Sequence, residues 1–362
     1  MTRTGSRATD GRPLAMSPRA VLPADFRPVT PSRRITVTAP DGTRLAVQVH
    51  DGPPGAPTVV LVHGWTLSAV FWVRVVRRLL PRVRVVVPDQ RGHGRSDPVP
   101  PGGFTSDALA DDLAAVLAAT VPPGERAVVT GHSMGGMALV AFAGRHPREL
   151  AGRVRAAALV STGMEQLTGR MAVIPRLSAR GRELVVDAAD ETLPIGPVRY
   201  ALTRRAVGDA AALHHLPWWL ARATVAHTSM SRAATPDERA FCTSLVLACP
   251  AATYEGFAAM LEHLDLSADL RRLVVPTRVV VGTRDRLTPP WHALRMATAL
   301  PAPLGLAQLP GAGHMTPVTA PDAVAAEVLR LALAPAGPIA TRAAAPVAAP
   351  VAAPVASARD GR

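Results

Sequence analysis

Residues 127–142 constrain this chain more tightly than any other stretch. Ala127-Val128-Val129-Thr130 is a short apolar run of strand character. Gly131-His132-Ser133-Met134-Gly135-Gly136 follows it without a spacer, and Met137-Ala138-Leu139-Val140-Ala141-Phe142 leads on as helix. A strand that turns into a helix within so few residues brings the two backbones close together. Gly131 and Gly135, on either side of Ser133, supply the room for that approach. Ser133 then occupies the apex of the turn in a strained backbone conformation. Its hydroxyl is exposed, and the next backbone N–H faces the same way. This is the pattern of a nucleophile elbow.

The remainder of the chain alternates in a way that suits such a turn. Residues 35–39 and 44–50 alternate apolar and polar around Asp41-Gly42 and read as a β-hairpin. Strands are expected at 57–63, 83–88, 126–130, 155–161, 277–282 and 304–309. Helices are expected at 69–80, 107–120, 134–146, 290–299 and 323–333. An antiparallel lead-in followed by alternating strands and helices implies an α/β fold: a mostly parallel central sheet with helices on both faces. Residues 164–270 break the alternation, showing helical pattern and no convincing strand. They read as a helical cap inserted after the sixth strand, so that the core comprises 35–163 and 271–334. Residues 1–34 read as a disordered N-terminal segment. Residues 335–362, where Ala-Pro-Val-Ala repeats every four residues, read as a disordered Ala/Pro-rich tail.

The net charge of +13 invites a nucleic-acid partner, but its distribution argues against one. All 40 basic residues are Arg. Residues 1–34 hold seven Arg against two Asp, and 335–362 hold three Arg against one Asp, so over half of the excess lies outside the core. No basic stripe interleaves with aromatics. No apolar run reaches the length of a membrane span. The N-terminus lacks an apolar signal region, and Ser32-Arg33-Arg34 leads into a strand and turn, which excludes a twin-arginine signal. Cys242 and Cys249 lie about two helical turns apart, too far for a disulfide. They read as small buried hydrophobes in a reducing compartment, and a cytoplasmic location is expected.

An exposed serine needs a base to take its proton and a carboxylate to orient that base. Val279-Val280-Val281-Gly282-Thr283-Arg284-Asp285 places an aspartate just beyond a strand's carboxyl end, where open α/β sheets gather their functional groups. Leu309-Pro310-Gly311-Ala312-Gly313-His314 places a histidine in a Gly-rich loop after the last strand. The assignment is Ser133 as nucleophile, His314 as general base and then acid, and Asp285 as orienting carboxylate. Arg284 and Arg286 are expected to keep Asp285 ionised, and could also compete with His314 for it. Two backbone donors are needed for an oxyanion. Met134 N–H, at the start of the elbow helix, is one. Trp65 N–H, in the loop His63-Gly64-Trp65-Thr66, is the other, with Gly64 letting the backbone come close. His132 is expected to point away from the serine hydroxyl. Asp89-Gln90-Arg91-Gly92-His93-Gly94-Arg95-Ser96 reads as structural, with Asp89 and Arg91 tying loops together. It lacks the Gly-Lys-Ser/Thr ending of a phosphate loop. No metal-ligand cluster is visible, and no cofactor is expected.

With these motifs together, residues 35–334 resemble the α/β-hydrolase superfamily, in its serine esterase, lipase and peroxidase-like branch with a helical cap. The epoxide hydrolases and haloalkane dehalogenases are similar in layout but use an aspartate nucleophile, so Ser133 argues against both. The resemblance implies a cofactor-free hydrolase acting on a small or medium, apolar carboxylic ester or related acyl compound through an acyl-enzyme. An acyltransferase, thioesterase or perhydrolase would use the same triad, and a non-catalytic ligand-binding protein would keep the scaffold alone. In the 164–270 insertion, Trp218-Trp219, Phe241, Phe257, Met164, Met171, Met230 and Met260 are candidates either for an apolar pocket or for the insertion's own core.

Overall fold

The computed structural model describes residues 23–165, 167 and 216–335. Eight strands form one sheet: β1 (Arg33–Thr38), β2 (Arg44–His50), β3 (Thr58–Val62), β4 (Arg84–Pro88), β5 (Ala127–His132), β6 (Val154–Val160), β7 (Thr277–Gly282) and β8 (Pro303–Leu309). Their spatial order is β1-β2-β4-β3-β5-β6-β7-β8. β2 pairs antiparallel with both β1 and β4, and every pairing from β4 to β8 is parallel. β3 and β5 are neighbours in the middle of the sheet, with Val62 opposite Gly131. The strand before Gly64 and the strand before Ser133 therefore end side by side.

The inner strands are apolar at almost every position because both faces are covered. On β3, Val60 and Val62 face one core while Val59 and Leu61 face the other. β5 divides in the same way between Val129 and Val128, and β7 between Val279 and Val280. Each of these side chains is essentially shut off from solvent. Burial of a valine or leucine contributes about 1.5–3 kcal/mol, so a polar substitution on either face is costly. The first core is closed by α2 (Ser106–Thr120) and α3 (Met134–Arg145), the second by α1 (Val73–Leu79) and, towards the chain's end, Pro321–Ala332.

Further helices are α4 (Pro147–Arg153), α5 (Trp218–Ser229), α6 (Pro236–Ala248), α7 (Ala251–Glu262), α8 (Ser267–Leu270), α9 (Pro290–Ala299), α10 (Thr316–Thr319) and α11 (Pro321–Ala332). α6 opens with a reciprocal Thr235/Glu238 capping box and Pro236 at its first position, which fixes its start. α6 and α7 meet at 94° across Cys249-Pro250. No single helix among the described residues is long and apolar enough to cross a membrane.

One expectation holds at its boundary and another needs correction. The elbow helix ends by His146 as expected, and Pro147 opens α4, a place where proline's missing N–H costs nothing. The disorder expected over 1–34 fails for residues 23–34. Ala24–Phe26 form a 3-10 turn, Phe26 is buried with its ring 4.9 Å from that of Phe241, and β1 begins at Arg33. Asp25 accepts a 2.6 Å hydrogen bond from Arg74 on α1. Phe26 and Asp25, with the Arg77–Arg27 carbonyl and Asp51–Ser32 bonds, tie down a stretch whose composition favours disorder. Residues 1–22, the tail beyond 335 and the first part of the proposed insertion, including Met171, lie outside the described residues.

Candidate active site

The elbow is built as its glycines require. Ser133 holds φ 51° and ψ −122°, a region that L-residues rarely occupy, at the junction of β5 and α3. A Cβ on Gly131 would lie 2.3 Å from the Gly135 carbonyl oxygen, and one on Gly135 would lie 2.3 Å from that of Val62. The turn is pinned by Ser133 N–H donating to Val160 O at 3.0 Å and Thr162 Oγ1 donating to Ser133 O at 2.8 Å. These bonds hold the strained residue so that only its side chain is left to act. The hydroxyl is partly exposed and faces a cavity of about 100 Å³ that His314 also lines.

Asp285 and His314 are brought together by the ends of β7 and β8. His314 Nδ1 lies 2.9 Å from Asp285 Oδ2, and both side chains are buried. With Nδ1–H committed to the carboxylate, Nε2 is the free lone pair of the neutral ring. The carboxylate is held from below by Leu287 N–H and Thr288 N–H, each 2.9 Å from Oδ1, and by Thr288 Oγ1–H, 3.0 Å from Oδ2. Among the described residues, no hydrogen bond or ion pair joins Asp285 to Arg284 or Arg286. Arg286 reaches the His227 carbonyl at the end of α5, so backbone donors and a threonine, rather than guanidinium groups, hold Asp285. The His314 backbone is fixed on both sides: its N–H donates to Ser229 O at 2.9 Å, and its carbonyl accepts from His132 Nε2 at 3.0 Å.

His132 is thereby given a role beyond the one expected of it. It is buried against Phe71 and Trp72, and burial, reinforced by the neighbouring His314, holds its pKa well below the ordinary imidazole value. It is a neutral donor that locates the histidine loop.

The loop after β3 touches the elbow directly. A Cβ on Gly64 would lie 2.9 Å from His132 Nδ1 and 3.0 Å from Ser133 Cβ. Trp65 lines the same cavity, and its indole N–H donates to Tyr254 O at 3.2 Å. Met134 N–H is in the first turn of α3, where no i−4 carbonyl of the helix is available to it. His63 Nδ1 donates to Gly64 O at 2.7 Å and its Nε2 accepts from Gln90 N–H at 3.0 Å. Burial, and then the nearby His93, pushes the His63 pKa down to about 3. The Asp89–Ser96 segment ties loops together: Asp89 accepts from Ala69 N–H at 2.6 Å, and fully buried Arg91 forks onto Asp112 at 2.7 Å.

The cavity wall was not legible. Neither Trp218 nor Trp219 lines it, and Trp219 is 69 % exposed. Phe241, Phe257, Met164 and Met230 are packed into the two cores. The wall comes instead from Thr224, Val225 and Thr228 on α5, with Val246, Tyr254 and Leu287. Thr288, Thr162 and the His132 bond were also missed. Asp285-x-x-Thr288 carried a signal, since an aspartate three residues before a threonine is a pattern for local side-chain-to-backbone bonding.

A family model described as alpha/beta hydrolase fold matches residues 57–321. The chain is 31% identical to a non-heme chloroperoxidase of Streptomyces lividans over 308 residues, covering 81% of this chain and 98% of that protein. It is 45% identical over 109 residues to the probable oxidoreductase EphD of Mycobacterium tuberculosis, a match that spans 30% of this chain and 18% of that much longer protein. Among solved structures, an esterase from Thermogutta terrifontis superimposes with a TM-score of 0.59 at 26% identity, covering 82% of this chain and 97% of that one. The chain belongs to the α/β hydrolase fold family.

Proposed function

We propose that this α/β hydrolase cleaves a small carboxylic ester, or a related acyl compound, through an acyl-enzyme on Ser133. His314 Nε2 takes the serine proton as Oγ attacks the carbonyl carbon. The tetrahedral oxyanion rests on the N–H groups of Trp65 and Met134, where the α3 dipole also favours negative charge. The proton passes to the leaving alcohol, and a water activated by His314 then releases the acid. Asp285 holds the imidazole in the tautomer this requires. The chemistry uses side chains and backbone alone, with no cofactor. Helices α5 to α7 serve as the described part of the cap and form the acyl wall. The observation that carries the reading is the 2.9 Å His314–Asp285 bond together with a strained, half-buried serine lining the same cavity as His314.

The test is hydrolysis of p-nitrophenyl butyrate by wild type and Ser133→Ala. Loss of ~10⁴-fold or more in kcat supports the reading. Full activity in the variant overturns it. A second reading keeps the triad and lets hydrogen peroxide replace water as acyl acceptor. It is favoured by the full-length similarity to a protein named as a chloroperoxidase. Peracid formed from an ester and peroxide, and lost in Ser133→Ala, would support it.

A further inference from the structure

The segment Asp89–Ser96 contains a buried histidine that the mechanism above does not use. His93 lies in the loop after β4 and is 1 % exposed. Its ring stands 5.3 Å from that of His63 and 5.6 Å from that of Phe257, nearly parallel to the latter. Its Nε2 is 3.2 Å from Thr66 N, and its Nδ1 is 2.9 Å from Arg91 O. A backbone N–H can only donate and a carbonyl can only accept. The ring's single proton is therefore on Nδ1, and Nε2 is a pure acceptor for Thr66. Burial pushes the His93 pKa down to about 4, which keeps that acceptor intact at neutral pH.

Thr66 needs such a partner. Leu67 N–H bonds back to Gly64 O at 3.3 Å, so residues 64–67 form a tight turn. Thr66, its third residue, holds φ 65°, a value that turns ordinarily reserve for glycine or asparagine. A β-branched residue there is strained. The Trp65–Thr66 peptide keeps its orientation because His93 takes its N–H. The histidine is itself seated by α7, where Thr253 Oγ1 donates to Gly92 O at 3.1 Å and Phe257 backs the ring.

We infer that His93 is a positioning residue for the oxyanion site: its Nε2 fixes the Trp65–Thr66 peptide and so aims the Trp65 N–H at the reacting carbonyl oxygen. This rests on the proposed hydrolase reading. It gives the Asp89–Ser96 loop a part in transition-state stabilisation and makes the seat on α7 part of the same device. A donor held in place before reaction is worth far more than one that must reorganise, and a misplacement near 1 Å costs on the order of 10²-fold.

The experiment compares wild type, His93→Leu and His93→Gln in full-length protein. It reads kcat and KM for p-nitrophenyl butyrate, affinity for an alkyl trifluoromethyl ketone that forms a tetrahedral adduct, and thermal unfolding. His93→Leu is expected to lose roughly 10- to 100-fold in kcat, with KM within about twofold, and to lose ketone affinity in parallel. His93→Gln, which offers an amide oxygen near the Nε2 position, is expected to recover most of both. Should His93→Leu fold poorly, the Thr66→Gly background decides. Glycine adopts the left-handed turn without help, so the loss on adding His93→Leu should shrink several-fold there. Unchanged kcat and ketone affinity in folded His93→Leu would overturn the inference, as would equal losses in both backgrounds. If wild type neither hydrolyses the ester nor binds the ketone, the hydrolase reading fails and takes the inference with it.

Discussion

The two sides of the candidate site are held by different means. On the nucleophile side, β3, β5 and the start of α3 meet through backbone contacts so close that Gly131 and Gly135 cannot accept even a methyl group. On the acyl side, α5 presents Thr224, Val225 and Thr228, side chains that many others could replace without disturbing a backbone. Between the two lies the His314 loop, which is bonded to both: to β5 through His132 and to α5 through Ser229. The difference suggests a division of labour. On the proposed hydrolase reading, the sheet side fixes the reaction and the helical side is free to fix the substrate.

The largest expected effect falls on the fixed side. Asp285→Asn should lower kcat ~10⁴-fold, because the amide N–H₂ would turn the imidazole to the wrong tautomer while leaving the cavity intact. Comparing kcat with KM checks this, since a rise in KM with kcat unchanged would place Asp285 outside the chemistry. Gly135→Ala should cost more than about 3 kcal/mol in urea unfolding, or prevent folding. The new methyl meets the Val62 and His63 carbonyls, which cannot move without breaking β3. A stable Gly135→Ala protein would show that the sheet side is less rigid than argued.

Acid offers a third way to break the contrast. His63 and His93 have folded pKa values pushed down to about 3 and about 4 by burial, and His132 lies well below the ordinary value for the same reason. Between those values and the unfolded imidazole value near 6.5, the unfolded chain binds more protons, so stability falls as pH drops through that window. Asp89, raised to about 6 by burial, acts in the opposite sense, since the folded form holds its proton below that pH. The His50 pKa is lowered by burial as well, and those of Asp112 and Asp269 are raised like that of Asp89; the four histidines, three of them deeply buried, outweigh the carboxylates. A net loss on the order of a few kcal/mol is expected between pH 7 and pH 4.5, read as a lower urea midpoint. An unchanged midpoint would contradict the neutral-histidine scaffold.

Smaller effects sharpen the comparison. Thr288→Val removes the hydroxyl on Asp285 Oδ2 but keeps the shape and the backbone bonds, and should lower kcat about 10-fold. Thr228→Val on α5 should alter the preference between acetyl and hexanoyl esters about tenfold, with thermal stability nearly unchanged. If instead it lowered kcat equally for every ester, the helical side would be part of the machinery rather than a replaceable wall.

The same contrast explains what could be read beforehand. Gly131, Ser133 and Gly135 announce themselves because backbone geometry admits few alternatives there. Asp285 and His314 follow from their places just after strands. The apolar runs at 57–63, 83–88 and 277–282 reveal a sheet covered on both faces. Thr224 and Thr228 were invisible, since a threonine in an amphipathic helix has no pattern that distinguishes a cavity wall from any other face. The obvious apolar candidates, Trp218-Trp219 and Phe241, misled for a related reason: composition cannot tell a core from a pocket. Phe26 was missed because its partner, Phe241, lies more than two hundred residues away in sequence.

The central claim is that the sheet side holds an activated serine. Its most direct test is intact-mass labelling with an alkyl fluorophosphonate, on wild type and Ser133→Ala, with peptide mapping of the adduct. One adduct on Ser133 in wild type and none in the variant is the expected result. A folded wild-type protein that takes no label, or takes it at another residue with Ser133→Ala labelled equally, would contradict the account.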